Sequence, residues 1–298
     1  MRGTLHFVAP ADIYWMLALL TPRVIAGVRS RHWQLELDQT DFDRSRDVLT
    51  RALQGGRQLT RGALYEILDA AGIATTGQRG IHILSRLAMD GLLCFAGRQG
   101  KQPALALLEE WIPPAKALDR DEALAELAGR YFTSHGPATL QDFTWWSGLT
   151  VVDAKVGIEL AGFRLEREVI DGGLYWSAAS DGGPAAGPAP STAYLLPPYD
   201  EYTVAYRDRS AVLDPAHGKI MSSNGIFHPI IVLDGQVAGT CKRAIKKGAV
   251  AITLSPYAPL KKKERQAVAE AAERYGAFLG LPAALDRTMQ RREPRLPE

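Results

Sequence analysis

Gln78, Arg79, His82, Ser85 and Arg86 fall at the spacing that puts side chains on one face of a helix. Their amide, imidazole, hydroxyl and guanidinium groups are the kinds that hydrogen-bond to phosphates and to base edges in a DNA groove. A second group, Arg98, Gln99 and Lys101, sits among glycines at an expected hairpin tip, where backbone can approach a ligand closely. Farther along, Asn224 and His228 lie in a polar loop entering a strand, and Lys242 and Arg243 form a basic pair. Each of these is a candidate contact to a polyanion. The competing reading of the cations is a solvated basic face.

Other motifs bear on chemistry mainly by exclusion. Leu196-Pro197-Pro198-Tyr199-Asp200-Glu201-Tyr202, followed by Arg207-Asp208-Arg209-Ser210, mixes acids and arginines that can orient one another, and an ion-paired strand corner is the favoured reading. There is no glycine-rich phosphate loop, no His-Glu-x-x-His, no Cys-x-x-Cys and no Gly-x-Ser-x-Gly elbow. With two cysteines, Cys94 and Cys241, and six scattered histidines, no metal site and no cofactor are expected. Trp145 and Trp146 are expected in a core rather than as stacking platforms.

The elements that must carry these residues follow from capping and periodicity. Residues 12–20 read as a short helix, preceded at Leu5, Phe7 and Val8 by what looks like a strand end. Asp41 is expected to cap a helix with Phe42, Ser45, Val48, Leu49, Ala52 and Leu53 inward, stopped by Gly55-Gly56. Thr60 caps a second helix over Arg61–Ala71. A third, Gln78–Asp90, is expected to turn Ile81, Leu84, Leu87 and Ala88 inward. Strands Leu92–Phe95 and Leu105–Leu108 complete a winged-helix order, in which the third helix enters the major groove. Residues 119–176 repeat it: helix Arg120–Phe132, a helix capped by Thr139, helix Val151–Leu160, and a hairpin across Asp171-Gly172-Gly173. After an Ala/Gly/Pro/Ser linker at residues 178–192, short strands are expected at Tyr194–Leu196, Thr203–Tyr206, Ile230–Leu233, Gln236–Lys242 and Ala249–Leu254. They would form a small β-barrel or curled sheet. A helix over Lys261–Phe278 closes it, and the tail after Leu281 reads as mobile. The expected organisation is α+β, with tandem winged-helix modules followed by a small β-barrel domain with a C-terminal helix. Its boundaries are residues 1–28 for a remnant of a first winged helix, 29–112 and 113–180 for two winged helices, and 181–298 for the barrel, closing helix and tail.

Composition agrees with this organisation. The 298 residues are 46% hydrophobic and 23% charged, which is globular and excludes wholesale disorder. Charge is uneven: residues 1–112 carry 13 Lys+Arg against 11 Asp+Glu, residues 113–199 carry 6 against 11, and residues 200–298 carry 16 against 11. The middle module, being acidic, is read as a scaffold or as making few contacts. No apolar run reaches the ~18 residues of a membrane span, and no secretory leader is recognised. A soluble cytoplasmic protein without a membrane partner is expected, and nothing in the pattern requires more than a monomer.

Six motifs together also carry a family resemblance. They are Met1-Arg2-Gly3-Thr4-Leu5-His6, Asp142-Phe143-Thr144-Trp145-Trp146-Ser147-Gly148-Leu149, the Leu196–Tyr202 and Arg207–Ser210 motifs, Asn224-Gly225-Ile226-Phe227-His228-Pro229, and Gly239-Thr240-Cys241-Lys242-Arg243. In this order and spacing the chain resembles the bacterial winged-helix DNA-binding family that includes the AlkZ/YcaQ-type DNA glycosylases. The resemblance implies tandem winged helices and a β-barrel arranged as a clamp on double-stranded DNA. It also implies removal of alkylated purines or unhooking of crosslinks, with no cofactor. Relatives carry a Gln-x-Gln or Gln-x-Asp motif in helices preceding the Arg-Gly-Thr-Leu-His element, and those helices are missing from the sequence as given. Gln39-Thr40-Asp41 matches that motif by letters but lies at a helix start in the next module. No catalytic residue is therefore carried over, and glycosylase activity stays open beside non-catalytic DNA binding or transcriptional regulation.

Overall fold

The computed structural model describes residues 3–113, 117–179, 192–223, 225–246 and 248–285. The chain is α+β and divides into two compact units, Met1–Ala179 and Ser180–Glu298. Among the described residues no helix is long and apolar enough to cross a membrane.

The first unit begins without the expected strand end: Leu5 and Phe7 are exposed and belong to no strand. Helix α1 (Ile13–Gly27) outruns the expected 12–20 and carries Pro22 inside it. Tyr14 Oη donates to the Ile112 carbonyl at 2.9 Å and Thr21 Oγ1 to that of Met89 at 3.0 Å. A short helix, α2 (Arg29–Gln34), follows. Helix α3 (Gln39–Leu53) starts earlier than expected. Its cap is Asp38, in a reciprocal capping box with Asp41 at the third helical position. Phe42, Ser45, Leu49 and Leu53 point inward as anticipated.

Strand β1 (Leu59–Thr60) leads into α4 (Arg61–Ala70), capped by Thr60. Helix α5 (Arg79–Met89) buries Gly80, Ile83, Leu84 and Leu87. Ile81 is 41% exposed, so the inward stripe is rotated from the expected one onto Ile83. Strands β2 (Leu93–Gln99) and β3 (Gln102–Leu107) are longer than expected, and their connection is tighter, turning at Gly100-Lys101. With β1 they form a sheet of order β1-β3-β2 beside a core that includes Leu49, Leu53, Leu64, Leu68, Ile83 and Leu87. Helix α6 (Leu108–Trp111) ends this stretch. Its Glu110 carboxylate accepts the Gly55 and Gly56 N–H groups at 3.3 and 2.6 Å.

The helix–helix–helix–hairpin order recurs. Helix α7 (Arg120–His135) is boxed by Asp119 and Glu122, and helix α8 (Leu140–Ser147) by Thr139 and Asp142. Thr150 caps helix α9 (Val151–Ala161). Strands β4 (Leu165–Ile170) and β5 (Gly173–Ala178) turn at Asp171-Gly172, both in the left-handed region. Tyr131, Phe132, Phe143 and Trp146 form an aromatic core. Trp146 thus packs as expected, whereas Trp145 is partly exposed.

In the second unit β6 (Ala193–Leu196) is followed by helix α10 (Glu201–Val204), where a strand over Thr203–Tyr206 was expected. Asp200 accepts the Tyr202 N–H and starts the helix despite the β-favouring run Tyr202-Thr203-Val204. Helix α11 (Gly218–Met221), β7 (Ser222–Ser223) and β8 (Ile226–Phe227) precede the main strands β9 (Ile230–Leu233), β10 (Gln236–Lys246) and β11 (Ala249–Pro256). Asp234-Gly235 makes the β9–β10 turn with positive φ at both residues. Helix α12 (Lys262–Leu279) is followed by β12 (Ala283–Leu285), which pairs parallel to β11 where a mobile tail was expected.

The sheet order is β12-β11-β10-β9-β6. Among the described residues β12 and β6 do not pair, so the sheet is a half-barrel and not a closed barrel. Helix α12 packs on both of these edge strands, and Arg274 donates to the Ala193 carbonyl of β6 at 2.8 Å. Strand β9 is buried on both faces: Ile231 joins Val268 and Ala272 of α12, while Ile230 and Val232 join Leu213 and Met221.

Candidate nucleic-acid interface

On α5 the two arginines, both expected as groove contacts, are bound to their own chain. Arg79 donates through Nη1 to the carbonyls of Leu35 and, at 2.7 Å, Glu36, and through Nε to that of Ala74 at 3.0 Å. Its Nη2 lies 3.4 Å from the Asp41 carboxylate. Arg86 donates to both oxygens of Asp90 at 3.0 Å and lies over the Phe42 ring. His82 meets the buried His32 edge-on, with centroids 5.4 Å apart. Desolvation, then neighbouring charge, holds both imidazoles below the ordinary histidine range. Gln78 is exposed in the left-handed region at the helix start and accepts from Arg31 at 2.7 Å. The helix therefore offers solvent mainly Gln78, Ile81 and Ser85.

The β2–β3 tip differs. Arg98 and Lys101 are exposed, and neither side chain holds a hydrogen bond or ion pair among the described residues. Gln99 donates to the Gln58 carbonyl at 2.6 Å and ties the hairpin to the chain before β1.

In the second unit Lys242 and Arg243 are neighbours on β10 and so face opposite sides of the sheet. Arg243 shares the face of buried Cys241 and stacks over Tyr275 of α12, while Lys242 points the other way. Burial pushes the Cys241 thiol up to about 11, which leaves it without thiolate character at neutral pH. His228 is partly buried between β8 and β9, and its backbone N–H donates to the Met221 carbonyl. Asn224 lies outside the described residues, as do linker residues 180–191. The Leu196–Ser210 stretch is a folded corner. Tyr202 Oη donates to the Gly235 carbonyl, Arg209 donates to the Thr203 carbonyl and stacks on Phe227, and Asp208 accepts the Ser210 N–H. Tyr199 sits there exposed, at φ +60°, beside Phe227.

Two features escaped the sequence reading. One is α2, whose Arg-Ser-Arg-His-Trp-Gln shows no apolar period. The signal that could have drawn notice to it is the absence of any Asp or Glu from residue 13 to 35, a stretch holding three arginines. The other is an open cleft of about 390 Å³ whose lining includes Asp12, Trp15, Glu122, Glu126, Arg130 and Arg164. Arg130 bridges Asp12 at 2.6 Å and Glu126 at 2.7 Å, and Arg164 reaches Glu126 at 2.8 Å. Hydrogen bonds from Arg164 and then Arg130 lower the Glu126 pKa. Burial works to raise that of Asp12, but bonds from Arg130 and Trp15 outweigh it and leave it lowered. The Arg130–Asp12 and Arg164–Glu126 pairs span 118 and 38 residues of sequence and exist only through packing.

The Gln39-Thr40-Asp41 triplet forms the first turn of α3. Gln39 donates to Asp43 at 2.9 Å, and Asp41 serves the capping box and Arg79.

A family model described as DNA glycosylase AlkZ-like matches residues 1–278. The chain belongs to the AlkZ-like DNA glycosylase family. Among solved structures it resembles the Streptomyces sahachiroi DNA glycosylase AlkZ, with a TM-score of 0.75 and 22% identity. The match covers 96% of this chain and 80% of that one. At that identity the likeness is one of fold. No curated protein matches the chain. The function of this family member is DNA-glycosylase-related.

Proposed function

We propose that this chain binds double-stranded DNA through winged-helix modules, the α3–β3 and α7–β5 segments, and takes alkylated or crosslinked DNA as its partner. The observation that carries the reading is the β2–β3 tip, where Arg98 and Lys101 stand exposed and uncommitted in a member of a DNA glycosylase family. Phosphate contacts of this kind give binding that weakens steeply with salt. Gln78 and Ser85 are the α5 groups left to meet a groove, while Lys242 and His228 are the proposed contributors from the second unit.

The reaction of the family has a simple physical logic. In a cationic N-alkyl purine, the electrons of the breaking C1′–N bond neutralise the ring as it departs. Water adds at C1′ and loses a proton to solvent or to a base, so a polar group that orients that water is the main catalytic requirement. The Gln39-Thr40-Asp41 triplet is committed to a helix start, which favours a second reading: DNA binding without excision.

Fluorescence anisotropy with a labelled duplex across a salt series tests the binding. Arg98→Ala and Lys101→Ala should each weaken it and flatten the salt slope by about one unit. Salt-independent or undetectable binding would overturn the proposal. Incubation with DNA containing N7-methylguanine separates the two readings, since abasic sites form only if excision occurs.

A further inference from the structure

Trp33 is 81% exposed, unusual for the largest apolar side chain, and no aromatic ring or cation packs on it among the described residues. It is not on a loose segment. Helix α2 is fixed at both sides of this residue. His32 is buried against Phe42, with centroids 5.1 Å apart, and Arg31 donates to Gln78 at the start of α5. The Leu35 and Glu36 carbonyls that follow the helix are held by Arg79. Arg29, one turn before Trp33, lies on the same face and is also exposed. Residues 13–35 hold no carboxylate side chain. An exposed indole on the same helix face as an exposed arginine, in such a stretch, complements an anionic strand that presents bases rather than only phosphates.

We infer that Trp33 is a stacking platform for an unstacked nucleotide, with Arg29 against the adjoining phosphate. An intact duplex keeps its base faces covered, so the partner is DNA in which one base is displaced, as at a mispaired, damaged or gapped position. This inference rests on the DNA-binding reading above but concerns preference for such DNA, not binding itself.

The test compares affinities of the whole chain for an intact duplex and for the same duplex with a one-nucleotide gap. Wild-type protein should prefer the gapped DNA, and Trp33→Ala should reduce that preference by about ten-fold while leaving affinity for the intact duplex unchanged. Trp33→Phe should retain most of the preference, since it keeps an aromatic face. Unchanged thermal unfolding of both variants separates the effect from misfolding. If wild-type protein shows no preference, or if Trp33→Ala binds gapped DNA as wild type does, the inference fails while the duplex-binding reading stands. If wild-type protein binds neither DNA, both fail. If wild-type protein self-associates and Trp33→Ala does not, the face is an interface between copies and the inference is overturned.

Discussion

Arg79 shows how a charged residue on a promising helix face can be structural. Its guanidinium satisfies three backbone carbonyls and meets one carboxylate, closing the loop between α2 and α3 onto α5. Arg79→Ala should therefore lower unfolding stability by about 1–3 kcal/mol in urea titration. Arg79→Lys should not restore it, because an ammonium cannot reproduce the fork. The His32–His82 pair makes stability depend on pH. Both groups are held below their ordinary pKa, so the folded state takes up protons less readily than the unfolded chain. Their contribution is intact above about pH 6.5 and declines as the pH falls from there through the depressed folded values. The melting temperature should drop across that window, and His32→Gln should flatten the drop. Sequence disclosed the residue types here, but not their partners. A guanidinium at position 79 reads the same whether it faces a phosphate or the Leu35 carbonyl, because the loop that supplies the carbonyl is set by tertiary packing.

Among elements, α7 and α9 approach each other closely. A Cβ added at Gly157 would lie 2.7 Å from the Leu124 carbonyl oxygen, which is backbone and cannot swing aside. Gly157→Ala should separate the two helices and cost about 1–3 kcal/mol, read by thermal unfolding. Helices with strong caps were legible in the sequence: Thr60 and Thr139, read as caps, each start one, and the helix starts expected at Arg120 and Val151 prove to be capped by Asp119 and Thr150. Elements that depend on context were not. Helix α2 lacks an amphipathic repeat and is held by side chains from α3 and α5. Thr203–Tyr206 has strand-like residues, but the Asp200 cap turns its first half into a helix. Ala283-Ala284-Leu285 carries almost no signal by itself and becomes a strand because β11 offers an edge.

At the scale of the whole chain, each unit buries cores of its own, among them one around Leu49, Leu64 and Leu87 in the first and one around Ile231, Val268 and Ala272 in the second. A chain divided between residues 179 and 192 should thus yield two fragments that both retain cooperative unfolding, measured by circular dichroism. Loss of structure in either would show that its core depends on the other unit. The α+β order was readable along the chain because each core is built from nearly consecutive elements. The open edge of the half-barrel was not, since strand count alone does not say whether a sheet closes.

That open sheet hands one helix a second duty. Because α12 packs on both β6 and β12 and holds the Ala193 carbonyl through Arg274, fraying it loosens both edge strands at once, each of which ends the sheet in a short ladder of backbone without a strand partner among the described residues. Such ladders recruit other chains. On slow heating, clumping of the protein should therefore begin when this helix lets go, ahead of the melting of β9 in the middle of the sheet.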